Sequence, residues 1–274
     1  MQYDPSQFRG TAPFYLIGRP PYSLHLAEVL RAELHLDGRG RLVDVGCGPG
    51  TVGVQLAAMF GHVSFIDPDP DMLSEARAHA TSAGLGNVDF HLATAEDLPS
   101  LGLKPARVAT FGQSFHRTDR LPVADGVYEL LEPGGSIVLI AHNPDRPAPP
   151  QPADTSLIPH REIHQIIQRY LGSELRSGAR PAAAYGTERF EHTLARTRFG
   201  PPRVVFAAGR PDLIYDPDRV IANYLSMSYA SPHLLEGRLT DFVQDLRTLL
   251  HESAPNGRFW EWPGDTELVI ATRH

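Results

Sequence analysis

The chain has 274 residues, 42% apolar and 21% charged, enough for one large domain or one domain with a substantial insertion. A net charge of −7 and a pI near 6.0 argue against a nucleic-acid surface, which needs a basic field. Cys47 is the only cysteine, so neither an intrachain disulfide nor a cysteine metal site can form.

The opening MQYDPSQFRG has no apolar signal core, and no apolar run approaches the roughly 18 residues of a membrane span. The expectation is a cytoplasmic protein with no membrane partner. Lys104 is the only lysine among many arginines, which reads as the coding bias of a GC-rich genome.

Residues 1–40 read as irregular and then helical, with Leu24, Leu26, Val29, Leu30 and Leu34 near helical spacing. A first strand is predicted over 42–45. A helix from Thr51 should end at Gly61 as a left-handed C′ residue. A second strand follows over 62–67. Asp69, Pro70 and Asp71 then give an N-cap, a first-turn proline and a favourable dipole charge for the next helix. Further strands are predicted over 88–92, 107–111 and 136–141, with a helix over 121–131 stopped by Glu132-Pro133-Gly134-Gly135. This alternation predicts βαβ units and a mostly parallel, twisted seven-stranded Rossmann-like α/β sheet with helices on both faces.

After Ala141 the rhythm breaks. Five prolines between Asn143 and Asp154 make that stretch a loop. Helices are predicted over 160–171, 217–229 and 234–251, and strands over 203–215 and 267–272. The organisation is then an N-terminal lead-in over 1–40, a cofactor-binding core over 41–142, and the remaining strands over 143–274. A helical substrate cap is inserted at about 143–200 and 217–256.

The chemistry concentrates at Val43-Asp44-Val45-Gly46-Cys47-Gly48-Pro49-Gly50-Thr51. A strand runs into a glycine turn and then a helix whose free N–H groups face the turn. The spacing Gly-x-Gly-x-Gly is not the Gly-x-Gly-x-x-Gly of dinucleotide sites. With Asp44 before the turn, it points to S-adenosylmethionine (SAM) rather than NAD. Asp67 ends the second strand, 21 positions after Gly46, where a carboxylate can accept both ribose hydroxyls. Asp44 orders the loop and attracts the cationic amino end of the ligand. Cys47 is a small residue packed in the turn, with nothing adjacent to lower its pKa.

VDVGCGPGT, FIDPDPDML, LATAEDLP, FGQSFHRTD and LEPGGSIVLI occur in order from residue 42 to 141. Together they resemble the class I SAM-dependent methyltransferases of the broad small-molecule (type 11-like) family. The lead-in FYLIGRPPYS is also similar to a family segment that folds over the cofactor. The resemblance implies that Gly46, Gly48 and Gly50 face the methionine part of SAM and that Met72 packs on adenine beside Pro68. It implies that Ala95 and Glu96 border the adenine edge next to Thr94, where many relatives carry Asp. Gly112 and Gln113 would line the sulfonium side, Arg19 would grip the SAM carboxylate, and Tyr15 would close over it. His116 falls where relatives often read His-Trp and this chain reads His-Arg.

Methyl transfer from a sulfonium is governed by positioning, and a base helps when the acceptor must lose a proton. His116 and His142, at strand exits, are the candidate catalytic residues. Tyr224, Met227 and Tyr229 are the candidate substrate contacts. His160, Glu162 and His164 do not form the zincin pattern and read as a cap helix face, so no metal is expected. Arg161, Arg169, Arg176 and Arg180 read as a solvated face. No Asn/Asp-Pro-Pro-aromatic motif follows the fourth strand, which argues against nucleic-acid bases as acceptors.

The reading is methyl transfer from SAM, yielding S-adenosylhomocysteine (SAH), to a small molecule. O-methylation of a secondary metabolite leads. N- or C-methylation, and a non-methylating SAM-fold binding or regulatory protein, remain open.

Overall fold

Alternation along the strands builds the fold. The computed structural model describes residues 4–174, 176–177, 180–181 and 188–274. β1 is Arg41–Val45, β2 His62–Asp67, β3 Val88–Leu92, β4 Ala106–Gly112, β5 Leu131–Asn143, β6 Arg203–Ala207 and β7 Asp265–Thr272. They form a seven-stranded sheet in the order β3-β2-β1-β4-β5-β7-β6. β1 to β5 pair in parallel, and β7 runs antiparallel between β5 and β6. In the β5–β7 pair Asp265 stands opposite Asn143 and Thr272 opposite Ser136.

Successive side chains point to opposite faces. Val43, Ala109, Phe111, Ile137, Leu139 and Val269 therefore join one buried cluster, with α5 (Arg120–Leu130). Leu42, Val108, Val138, Ile140, Leu268 and Ile270 join another, with α2 (Leu26–Leu34), α3 (Thr51–Leu56) and α4 (Pro70–Ser82). Each fully buried aliphatic side chain contributes about 1.5–3 kcal/mol.

The α4 start forms as predicted: Asp69 accepts hydrogen bonds from the N–H groups of Asp71 and Met72. Five expectations change. The lead-in contains α1 (Ala12–Gly18), too short for a periodic signal and opened by Pro13. α3 passes into a 3₁₀ turn over Ala57–Met59 and ends before Gly61, whose φ is not positive. Gly61 instead donates its N–H to the Gly40 carbonyl.

β5 takes in the Glu132–Gly135 turn, with a register shift beside Ala106/Val108. The predicted 203–215 strand splits at Gly209-Arg210-Pro211 into β6 and a two-residue strand, Ile214–Tyr215. α7 (Phe190–Leu194), placed in the cap by the sequence reading, buries Leu194 in the cluster under α5.

A third buried cluster joins α6 (His160–Leu171), α8 (Pro217–Leu225) and α9 (Leu239–Ser253). Residues 156–157, 214–215 and 259–260 form a three-stranded sheet beside them. α6 seats Ile163, Ile166 and Ile167 in this cluster. α1 lies against α8: a Cβ on Gly18 would come within 2.1 Å of the Asn223 nitrogen, so the helices meet backbone to backbone. Among the described residues no helix is long and apolar enough to cross a membrane.

Candidate active site at the carboxyl ends of the strands

The strand order reverses between β1 and β4, and open α/β sheets bind ligands in the crevice beyond such a reversal. Two neighbouring cavities lie there. The first, of ≈ 130 Å³, is lined by Gly46, Gly48, Asp67, Pro68, Met72, Thr94, Ala95, Glu96, Gly112 and Gln113, with Tyr15 and Phe8 from the lead-in. The second, of ≈ 390 Å³, is lined by Arg19, Tyr22, Asp44, Cys47, His116, His142, Asn223, Met227 and Glu261. Tyr15, Gly46, Gly48, Gly112, Gln113 and Arg117 border both.

The glycine turn is held from both sides. Gly48 donates its N–H to Asp67 Oδ2 at 2.8 Å, and Asp69 donates to Oδ1 at 2.9 Å. Asp44 Oδ2 accepts from the Gly53 N–H at 2.9 Å and Oδ1 from the Thr110 hydroxyl at 2.8 Å. Gly46 has φ +61°, and a Cβ there would lie 2.6 Å from Ser114 Cβ. Ser114 in turn donates to the Val45 carbonyl at 2.7 Å, tying the ends of β1 and β4 together. Gln113 follows at φ 55°, strained for a side-chain-bearing residue, with its N–H on the Ile140 carbonyl.

Burial drives the electrostatics. Desolvation pushes the Asp67 carboxyl up to about 7 and the Asp44 carboxyl up to about 6, against the backbone and Thr110 hydrogen bonds that oppose it. Desolvation, with Asp67 and Asp44 nearby, raises the Cys47 thiol far above its ordinary range, so this thiol is inert. His116 is pulled down to about 3 by burial and by the charges of Arg117 and Arg120. Burial also lowers His142, but its bond to the Pro20 carbonyl and the charge of Glu261 oppose that shift.

His142 stacks on Tyr22, ring centroids 5.0 Å apart and 16° between planes. Its Nε2 lies 3.3 Å from the Pro20 carbonyl, and its buried Nδ1 has no partner among the described residues. Arg19 lies over the Tyr15 ring at 4.9 Å and donates from Nη2 to the Ser226 carbonyl at 3.0 Å. Its Nε is buried without a partner among the described residues.

Some predicted contacts are occupied elsewhere. Gly50 borders neither cavity; it starts α3, and its Cβ position faces Phe65, Val54 and Ala76. The Thr94 hydroxyl donates to Asp97 Oδ2 in a capping box, and Glu96 Oε1 accepts the Asp119 N–H. Tyr224 is buried with its hydroxyl 2.6 Å from His160 Nδ1. Tyr229 donates to Met227 Sδ and stacks on His164. Of the three substrate candidates, Met227 alone lines a cavity.

His160 and His164 are engaged by Tyr224, Glu261 and the α6 backbone. Arg161 pairs with Glu162 and Arg169 with Asp245, while the side chains of Arg176 and Arg180 lie outside the described residues. Sequence reasoning missed Phe8, Tyr22, Ser114, Asn223 and Glu261. Phe8 and Tyr22, aromatics of the lead-in, carried the one usable signal.

The arrangement suits SAM. Asp67 offers acceptor lone pairs for ribose hydroxyls, and Met72 and Ala95 offer an apolar wall for adenine. The unpartnered Arg19 Nε and buried Asp44 offer opposite charges for the two ends of an amino acid. A Cβ at Gly48 would stand 4.0 Å from Met72 Sδ, filling space that the bare turn leaves open between them.

Residues 42–135 match the methyltransferase domain family. Over 132 residues the chain is 34% identical to the ubiquinone biosynthesis O-methyltransferase of Xylella fastidiosa (strain M23), covering 45% of this chain and 52% of that protein. It thus spans about half the length of that curated relative. Over 133 residues it is 26% identical to the 23S rRNA (uracil(1939)-C(5))-methyltransferase of Methylococcus capsulatus (strain Bath), covering 47% of this chain and 28% of that protein. The structure of precorrin 8w decarboxylase from Methanobacterium thermoautotrophicum shares the fold at a TM-score of 0.50 and 14% identity, covering 99% of both chains. Residues 42–135 thus form a methyltransferase domain on a seven-stranded Rossmann-like sheet.

Proposed function

We propose that this chain methylates an oxygen of a small organic acceptor held in the second cavity, with His142 taking the acceptor's proton. The observation that carries this reading is adjacency. A cavity lined by Asp67, Met72 and Ala95 adjoins, at the glycine turn, a cavity lined by His142. SAM supplies an electrophilic methyl carried on a sulfonium. The protein's part is to align an acceptor atom with it and to remove a proton.

His142 suits the second task. The Pro20 carbonyl accepts the Nε2 proton, which fixes the tautomer and leaves the Nδ1 lone pair free. His116 lines the same cavity, but with a pKa near 3 it holds a transferred proton poorly. Its role in this reading is contact with the acceptor. The net charge of −7 favours a small molecule over the nucleic acid of the more distant relatives. The arginine-rich, lysine-poor composition, read as the coding bias of a GC-rich genome, supports a secondary metabolite as the substrate class.

Calorimetry with SAM, SAH and NADH tests the cofactor assignment. SAM and SAH binding without NADH is the expected result; NADH binding without SAM overturns it. Methyl transfer from labelled SAM to a panel of small phenols then separates an enzyme from a SAM-binding module.

A further inference from the structure

One group in the second cavity has no part in the reaction described above. Glu261 lies just after the two-residue strand Phe259–Trp260 and borders the cavity. Behind it, Glu261 Oε1 is 3.0 Å from His160 Nε2 in an ion-pair contact, and the Tyr224 hydroxyl is hydrogen-bonded to His160 Nδ1 at 2.6 Å. Tyr224 is buried, and desolvation raises its pKa well above the ordinary value, so it remains a phenol and donates. His160 Nδ1 therefore accepts, which leaves the proton on Nε2, the nitrogen beside Glu261. One carboxylate oxygen is thus fixed from behind, and the other is left for the cavity's contents.

Two buried acceptors of this cavity share that polarity, while Arg19 and Arg117 border it as cations. His142 Nδ1 and Asn223 Oδ1 are buried acceptors with no partner among the described residues, and both residues line this cavity. Asn223 is 4% exposed. A buried acceptor left unsatisfied is costly, and a bound donor removes that cost. Arg19, whose Nη2 is held by the Ser226 carbonyl, is the residue that the resemblance assigns to the carboxylate end of SAM.

We infer that Glu261, buttressed by His160 and Tyr224, is a specificity residue that seats a protonated amine of the acceptor molecule, with Asn223 completing the subsite. The inference rests on the proposed function. Glu261 selects and orients the acceptor; the methylated oxygen lies toward His142. His160 and Tyr224 are positioning residues that act through Glu261.

The test uses the full chain saturated with SAH and three matched phenols: tyramine, 4-ethylphenol and 3-(4-hydroxyphenyl)propionate, each titrated by calorimetry. Wild-type protein is expected to bind tyramine at least ten-fold more tightly than the other two. Glu261→Gln, similar in shape, should remove that preference while the Kd for SAH stays unchanged. Tyr224→Phe should reduce the preference by a smaller factor, and thermal melts establish that each variant is folded. Equal binding of the three phenols, tighter binding of the carboxylate, no tyramine binding at millimolar concentration, or a preference that survives in Glu261→Gln each overturns the inference. Failure of SAH itself to bind defeats the proposed function instead, and the calorimetric control separates the two.

Discussion

The two cavities differ in how the chain builds them. The first comes from strand ends and the turns that leave them: Gly46 to Gly48 after β1, Asp67 after β2, Thr94 to Glu96 after β3 and Gly112 after β4. Its polar groups are largely satisfied by nearby backbone, as when Asp67 accepts from Gly48 and Asp69. The second combines Arg19, His142, Asn223 and Glu261 from four distant segments, and His142 Nδ1 and Asn223 Oδ1 there have no partner among the described residues. The first cavity is therefore a rigid cradle for a constant ligand. The second is a variable room whose occupant must complete its hydrogen bonds.

By that contrast, the two histidines of the second cavity are not equivalent. His142→Ala should lower turnover by roughly 10²-fold or more, the lower end of general-base effects, with little change in the Kd for SAM. His116→Ala should change turnover far less, because burial and two arginines already deprive it of basicity. Single-turnover rates at several pH values check this. Equal losses in the two variants would erase the distinction.

The junction between the cavities gives the next largest effect. A Cβ at Gly18 would lie 2.1 Å from Asn223 N and 2.3 Å from the Ala222 carbonyl carbon, and backbone cannot give way as a flexible side chain can. Gly18→Ala should therefore cost about 3 kcal/mol, the upper end of over-packing penalties. Because Tyr15 and Arg19 flank Gly18, it should weaken both SAM and acceptor binding. Thermal melts and calorimetry measure the two effects, and a loss confined to one ligand would show that the cavities are independent.

The smallest effect is a dependence on pH. The folded-state pKa of Asp67 is raised to about 7 and that of Asp44 to about 6, above their unfolded value of 3.8. Their contribution to the stability of the free protein is therefore greatest below pH 4 and declines as pH rises toward 7. Ribose hydroxyls donating to Asp67 favour its carboxylate form, so SAM binding releases protons and tightens as pH rises through about 7. The gain is at most about ten-fold per pH unit. Titrations in buffers of different ionisation enthalpy should show proton release at pH 6.5 and little at 8.5. Asp67→Asn should bind more weakly, with this dependence reduced.

The same contrast explains what was legible in the sequence. Asp69-Pro70-Asp71 specifies a helix start by itself, because capping is a matter of neighbouring residues. The turn after β1 is equally local, and its Gly46 and Gly48 border both cavities. Gly50 misled because its spacing matches the other two glycines while its Cβ position faces the α3–α4 packing. Tyr224 and Tyr229 misled because an aromatic on an amphipathic helix does not reveal whether it faces a cavity or the helices behind it. Glu261 had no local signal. Its place depends on the pairing of Trp260 with Ile214 and on His160 of α6, about a hundred residues upstream.

The antiparallel register of β5 and β7 also bears on how this scaffold can diverge. His142 immediately precedes Asn143, and Glu261 lies four residues before Asp265, the residue opposite Asn143. Glu261 lies in the irregular link 261–264 between the two-residue strand Phe259–Trp260 and β7, so the hydrogen-bonded strands on either side bound its distance from His142. An insertion between 261 and 265 would displace the carboxylate from its place beside the base. A substitution at 261 would change what is recognised and leave the spacing intact. New acceptors are thus reached by exchanging side chains, while the backbone that measures the gap stays fixed.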